Sequence, residues 1–159
     1  MPIRKPNFTP PFNIIRASHV EFGVRDLARS RAFYVDCLGY LVTAEDKNAI
    51  FLRAVEERNH HSIVLRKQND ATIPALGYKV ASEEDLDRAA FWFAHKGFPT
   101  SFPEIEHQGR TLRTCDIHGM PLDFYFRMDQ AECMLRKYAE YKGARIQRID
   151  HLNCFTPDV

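Results

Sequence analysis

One order of residue patterns occurs twice in this chain: a strand, a helix, then three strands. In the first copy, SHVEFGV (18–24) alternates apolar and polar residues as a half-buried strand does. Asp26 stands at an N-cap position before LARSRAFYVDCLG, whose Leu27, Phe33, Tyr34, Cys37 and Leu38 give a helix one apolar face, and Gly39 ends it. Strand patterns follow at 40–46, 49–55 and 61–67, separated by short polar turns. The second copy opens with a strand at 76–81. Ser82-Glu83-Glu84-Asp85 then resembles a capping box, and the helix DLDRAAFWFAHKG carries Leu86, Ala89, Ala90, Phe93 and Ala94 on one side. Strands at 99–106, 110–117 and 121–127 complete it. The chain therefore reads as α+β: two βαβββ modules (16–68 and 75–128) within a domain spanning 16–128, after an extended arm at 1–15.

A second repeat has a longer period. RASHVEFGVRDL (16–27) aligns with RIDHLNCFTPDV (148–159), with Arg16 on Arg148, His19 on His151 and Asp26 on Asp158, each 132 residues apart. Residues 148–159 thus read as the first strand of a further copy of the whole domain, which this chain begins and does not finish. Residues 129–147 read as a linker between copies, with QAECMLRKYAEYKG (130–143) as its helix.

Composition removes several function classes. A net charge of +1 gives no electrostatic footprint for nucleic acid or an anionic membrane. No apolar run reaches the roughly 18 residues a membrane span requires, and the first fifteen residues lack a signal-peptide apolar stretch. Cys37, Cys115, Cys133 and Cys154 are scattered with no CxxC pair, as expected of reduced thiols in a cytoplasmic protein.

Four segments carry a family resemblance: VRDLARSRAFYVDCLGY, AIFLRAVEERNHHSIVLRK, DIHGMPLDFYF and RIDHLNCFTPDV. Together they resemble the vicinal oxygen chelate superfamily and, within it, type I extradiol catechol dioxygenases, especially the homoprotocatechuate 2,3-dioxygenase group. The resemblance implies paired βαβββ modules in an open, glyoxalase-like barrel. It also implies an enzyme of two similar domains, of which the second binds Fe(II), or occasionally Mn(II), through two histidines and a glutamate. Carried over residue by residue, His151 is the first of those metal ligands, and Asn153, on the same strand face, lines the pocket. The remaining ligands belong to the missing catalytic domain. The implied reaction is extradiol cleavage of a catechol with O2 by the intact enzyme, commonly a homo-oligomer. This chain, the non-catalytic N-terminal domain, is then inactive alone. Two His and one carboxylate suit such chemistry because they leave metal positions open for catecholate and O2.

The first domain holds the same residue types. In this superfamily, ligands come from the first strand of one module, its fourth strand and the last strand of the next. Those positions are His19, His61 and Asp123. This trio defines an alternative: a self-contained glyoxalase-type metalloenzyme, with Glu21 as the nearest candidate for a fourth ligand. A third reading is a metal-free small-molecule binder that uses the barrel mouth. Competing against the metal reading, Asp123 is one methylene shorter than glutamate, His61 and His60 can cap a strand end, and His19 can be a buried, hydrogen-bonded histidine. Phe91, Trp92 and Phe93 read as helix residues packing on the sheet. Phe124 to Phe126 alternate between core and a neighbouring surface. Arg145 and Arg148 read as solvated, and His118 as part of a turn.

Overall fold

The computed structural model describes residues 8–153 and Phe155. Seven strands form a single sheet in the order β2-β3-β4-β1-β5-β7-β6. The strands are β1 (Ile14–Val24), β2 (Leu41–Glu45), β3 (Ala49–Arg53), β4 (Ile63–Lys67), β5 (Thr72–Val80), β6 (Thr111–Cys115) and β7 (Pro121–Tyr125). The two modules meet where β1 runs antiparallel to β5, and each first strand pairs in parallel with its module's last strand, β4 or β7. The strands on either side of the β1–β5 seam therefore follow the same relative order, four in the first module and three in the second.

Alternation along the strands sorts the two faces. Val20, Phe22 and Val24 of β1 face one side and join Tyr40, Ile50, Leu52, Ile63 and Leu65 in the first core, where Leu27, Tyr34, Val35 and Leu38 of the first helix pack. Val80, Leu112 and Phe124 form the second core with Leu86, Ala89 and Phe93 of the second helix. His19 and Glu21 project to the opposite face.

The first helix, α1, runs over Leu27–Arg31 and widens into a π-helical stretch at Ala32–Cys37. Asp26 caps it as expected, its carboxylate accepting from the Arg29 amide at 2.9 Å. Gly39 follows its end at φ 80°, the left-handed conformation that glycine adopts without Cβ strain. The second helix, α2 (Glu83–His95), has Ser82 as N-cap, accepting from the Asp85 amide at 3.1 Å. Its three first-turn acids oppose the positive end of the helix dipole. Only part of its aromatic run packs inward: Phe93 is buried, Trp92 contacts Phe12, and Phe91 is exposed.

Three expected elements take other forms. Segment 99–106 is no regular strand; a bridge from Ser101 to Arg113 and another from Ile105 to Gln108 are all that remain. Pro99 and Pro103 lack the amide protons that a ladder needs. The linker helix over 130–143 is replaced by irregular chain with one 3-10 turn at Tyr138–Glu140. Its amides pair outward, Ala131 to the Arg58 carbonyl at 2.7 Å and Met134 to the Val55 carbonyl at 2.8 Å, so tertiary contacts override the local helical pattern. Residues 148–153 form no strand, whereas Cys154 and 156–159 lie outside the described residues. Of the arm, 8–13 is described and irregular, and β1 already begins at Ile14, earlier than its alternation suggested.

Candidate functional site

The sheet face opposite the helices carries His19, His61 and Asp123, which the sequence singled out. His19 sits on β1 directly beside Gly77 of β5, and Gly77 is in turn beside Asp123 of β7. Gly77 is required there, because a Cβ at that position would run into the His19 imidazole. His61 precedes β4, and its ring meets that of His19 edge-to-face at 5.1 Å between centroids. His19, His61 and Asp123 are all buried, at 3%, 1% and 1% exposure.

The carboxylates of this face are each paired with an arginine. Arg113 on β6 donates to both Asp123 oxygens, from Nε at 2.8 Å and Nη2 at 2.7 Å. Glu21 is held similarly by Arg66, at 2.7 and 3.3 Å. Both carboxylates are thereby committed to guanidinium forks, and His19 Nδ1 is buried without a hydrogen-bond partner. Among the described residues, no group of three or more His, Cys, Asp or Glu is placed to hold a metal ion. In this arrangement the two carboxylates of the alternative set, Asp123 and Glu21, are turned to arginines, while His19 and His61 remain neighbours. A cavity of about 450 Å³ remains at this mouth, lined by Glu21, Arg66, Arg113 and the 103–106 segment.

The histidines of this face form a continuous group. His60 Nδ1 lies 3.2 Å from His61 Nδ1, and the His60 and His107 rings stack at 3.8 Å, with Phe51 against His60, His61 and His107. Burial, reinforced by the Arg113 charge, lowers the His19 pKa to about 4. Burial, then neighbouring His19, His60 and His107, lowers His61 to about 2. Burial and the adjacent His107 lower His60 to about 4. All three are neutral at pH 7. Nearby, the fully buried Tyr125 hydroxyl bonds to Ser18 and accepts from Asn59 Nδ2 at 3.1 Å. This network joins β1, β7 and the loop before β4. No spacing in the sequence announces it, since Ser18, Asn59 and Tyr125 belong to separate elements.

His151 lies on the other side of the sheet. Ile149 and Leu152 pack against the first core, and the segment spans a cavity of about 390 Å³ floored by Val20, Phe22, Tyr34, Tyr40 and Ile63. The His151 side chain is 84% exposed, with Nδ1 3.3 Å from Asp150 Oδ2. A carboxylate at Nδ1 favours Nε2 as the nitrogen left for a ligand, the arrangement usual for a metal-binding imidazole. His151 thus fits one member of a ligand set. Asn153 is exposed beside it.

The sequence profile of the Glyoxalase/Bleomycin resistance protein/Dioxygenase superfamily matches residues 16–116, and the chain belongs to that superfamily. Within it the chain is similar to extradiol dioxygenases. It is 25% identical over 162 residues to a metapyrocatechase of Geobacillus stearothermophilus, covering 94% of this chain and 49% of the relative. Identity is also 25% to a manganese-dependent 2,3-dihydroxybiphenyl 1,2-dioxygenase of Geobacillus genomosp. 3, over 90% of this chain and 49% of that protein. Among solved structures, a variant of homoprotocatechuate 2,3-dioxygenase from Brevibacterium fuscum superposes with a TM-score of 0.90 and 38% identity, over 99% of this chain and 45% of that one. The enzyme of the same name from Arthrobacter globiformis gives 0.85 and 35%, over 92% and 48%. The chain spans about half the length of the curated relatives it matches. No helix among the described residues is long and apolar enough to cross a membrane.

Proposed function

We propose that this chain is the non-catalytic N-terminal domain of an extradiol dioxygenase that opens a catechol-type ring with O2, and that His151 is the first ligand of the metal. The observation that carries this reading is a contrast between the faces of one sheet. The carboxylates of one face are bound by arginines, whereas His151, on the other, is exposed with Asp150 at its Nδ1. The metal would be Fe(II), with Mn(II) as the alternative; the name of one relative specifies manganese. When bound, it would supply a common centre for catecholate and O2. His151 would hold it, Asp150 would fix the imidazole orientation, and Asn153 would line the substrate pocket. The other ligands would come from a catalytic domain following this one. A cytoplasmic homo-oligomer is the matching assembly.

The test is metal content and ring cleavage by the polypeptide that includes the second domain. About one Fe(II) or Mn(II) per chain, together with O2 uptake on 3,4-dihydroxyphenylacetate or catechol, is expected, both lost in His151→Ala. Full metal occupancy in His151→Ala would overturn the assignment. The 159-residue chain alone is expected to consume no O2.

A further inference from the structure

Residues 142–149, which lead to His151, are fastened to the first module at two stations. The first is the end of α1, whose last carbonyls have no partner within the helix. The Ala144 amide donates to the Cys37 carbonyl at 2.9 Å, and the Ile146 amide to the Leu38 carbonyl at 3.3 Å. Two glycines permit this approach. Gly39 and Gly143 both have positive φ, and a Cβ on Gly39 would strike the Lys142 carbonyl, while one on Gly143 would strike that of Cys37.

The second station is the loop after β3. Val55 and Glu56 amides donate to the Ile146 and Gln147 carbonyls, each at 3.2 Å. Glu57 then closes the contact with its side chain. Its Oε1 accepts from the Ile149 amide at 3.1 Å, and its Oε2 accepts from the Ala54 amide at 2.7 Å and the Ser62 hydroxyl at 2.5 Å. Ser62 is 1% exposed, and its backbone bonds both Leu52 of β3 and Val20 of β1. One carboxylate therefore links the segment to the centre of the sheet. Among the described residues, this is the last hydrogen bond fastening the segment's backbone to the module before His151.

We propose that Glu57 is a positioning residue: it fixes the course of the segment that presents His151 and couples that segment to the β1–β4 centre of this domain. The metal-related part rests on the function proposed above; the anchoring part does not. Ion pairing alone would be a weaker anchor. Arg148 also pairs with Glu56, at 2.9 Å, but its side chain is 61% exposed, and such pairs contribute little. Glu57 instead receives backbone and buried hydroxyl donors, a geometry that a flexible surface pair does not impose.

Two measurements on Glu57→Gln test this. In the 159-residue chain, hydrogen exchange at the Ile149 amide is expected to speed up about tenfold, with Val20 and Leu65 amides unchanged. In the polypeptide with the second domain, Fe(II) affinity read by metal titration is expected to fall about tenfold, the scale of loss when groups supporting a metal ligand are removed. Glu57→Asp, which keeps the charge but shortens the reach, serves if the Gln variant does not fold; Ile149 is expected to lose protection there too. Unchanged Ile149 exchange in a folded variant overturns the anchor, and unchanged Fe(II) affinity overturns its role in positioning His151. If the unaltered two-domain polypeptide binds no metal, the proposed function fails, while the exchange result still decides the anchor.

Discussion

Arg113 and Asp123 face each other across the β6–β7 ladder as register partners, and the guanidinium holds both carboxylate oxygens at 2.7 to 2.8 Å. Asp123 is nearly fully buried, whereas the Arg113 side chain is 38% exposed. Removing the arginine would strand a buried carboxylate, which costs about 3–5 kcal/mol at a fully buried site. Partial access of water to Arg113 discounts that figure, so Arg113→Met is expected to destabilise by about 2 kcal/mol. The double variant Arg113→Met, Asp123→Leu removes both charges and is expected to recover most of the loss. Urea denaturation of the two variants decides this; a double variant as unstable as the single would mean that packing, and not charge, explains the effect.

Three neutral buried histidines make stability depend on pH. Burial comes first among the causes for His19, His60 and His61, and their folded pKa values of about 4, 4 and 2 lie below the ordinary value of 6.5. The unfolded chain therefore binds more protons than the folded one at pH below about 6.5. Their contribution is complete above that pH and is lost as pH falls, toward about 4 for His19 and His60 and toward about 2 for His61. Each group adds up to about 1.4 kcal/mol per pH unit to the slope in that window. Urea midpoints between pH 7.5 and 5 are expected to fall steeply in the unaltered chain, and less steeply in His61→Asn. An equal slope in both proteins would remove His61 from the set.

The sequence displayed the module order because period-2 and period-3.6 patterns are local properties, and Asp26, Ser82 and Gly39 mark helix ends by short-range bonds. The pairing of His19, His61 and Asp123 came from the superfamily resemblance, which names those strand positions, and not from the local pattern. The sequence did not reveal that Arg113 neutralises Asp123, because that pairing depends on the β6–β7 register. The course of the tail was not legible either. Its Ile149 and Leu152 pack on the first core, and the amides and carbonyls of 144–149 meet the end of the first helix and the 54–57 loop, long-range partners that no local pattern announces. Glu57 carries no sequence signal beyond being one acid in a charged turn; only the convergence of Ala54, Ser62 and Ile149 on its carboxylate distinguishes it.

The His19–Gly77 contact predicts a paired effect. The imidazole occupies the space a side chain at 77 would need, so Gly77→Ala forces a shift of His19 or of the β1–β5 seam. Overpacking of a buried site typically costs about 1–3 kcal/mol, and about 2 kcal/mol is expected here. Adding His19→Ala opens the space, so the double variant is expected to lose less than the two single effects combined. A thermal denaturation cycle of the four proteins measures that coupling; strict additivity would show that Gly77 is needed for its backbone and not for the ring above it.

Asp85 predicts a link between the arm and the second helix. It is 3% exposed, its Oδ1 accepts from the Asn13 amide at 3.1 Å and from Asn13 Nδ2 at 3.2 Å, and its Oδ2 accepts from the Ser82 hydroxyl. Ser82 in turn caps α2 through the Asp85 amide. Phe12, next to Asn13, packs against Trp92, Phe93 and Phe124, so the arm covers the second core. Asp85→Ala removes the acceptor from Asn13 while leaving the Ser82 cap in place. Loss of hydrogen bonds to a buried charged acceptor is worth about 1.5–3 kcal/mol, and about 2 kcal/mol of destabilisation is expected. The signature is local as well as global. Proteolysis near residues 8–13 should become faster in Asp85→Ala at urea concentrations where α2 remains folded. An arm that stays equally resistant would assign its docking to Phe12 alone.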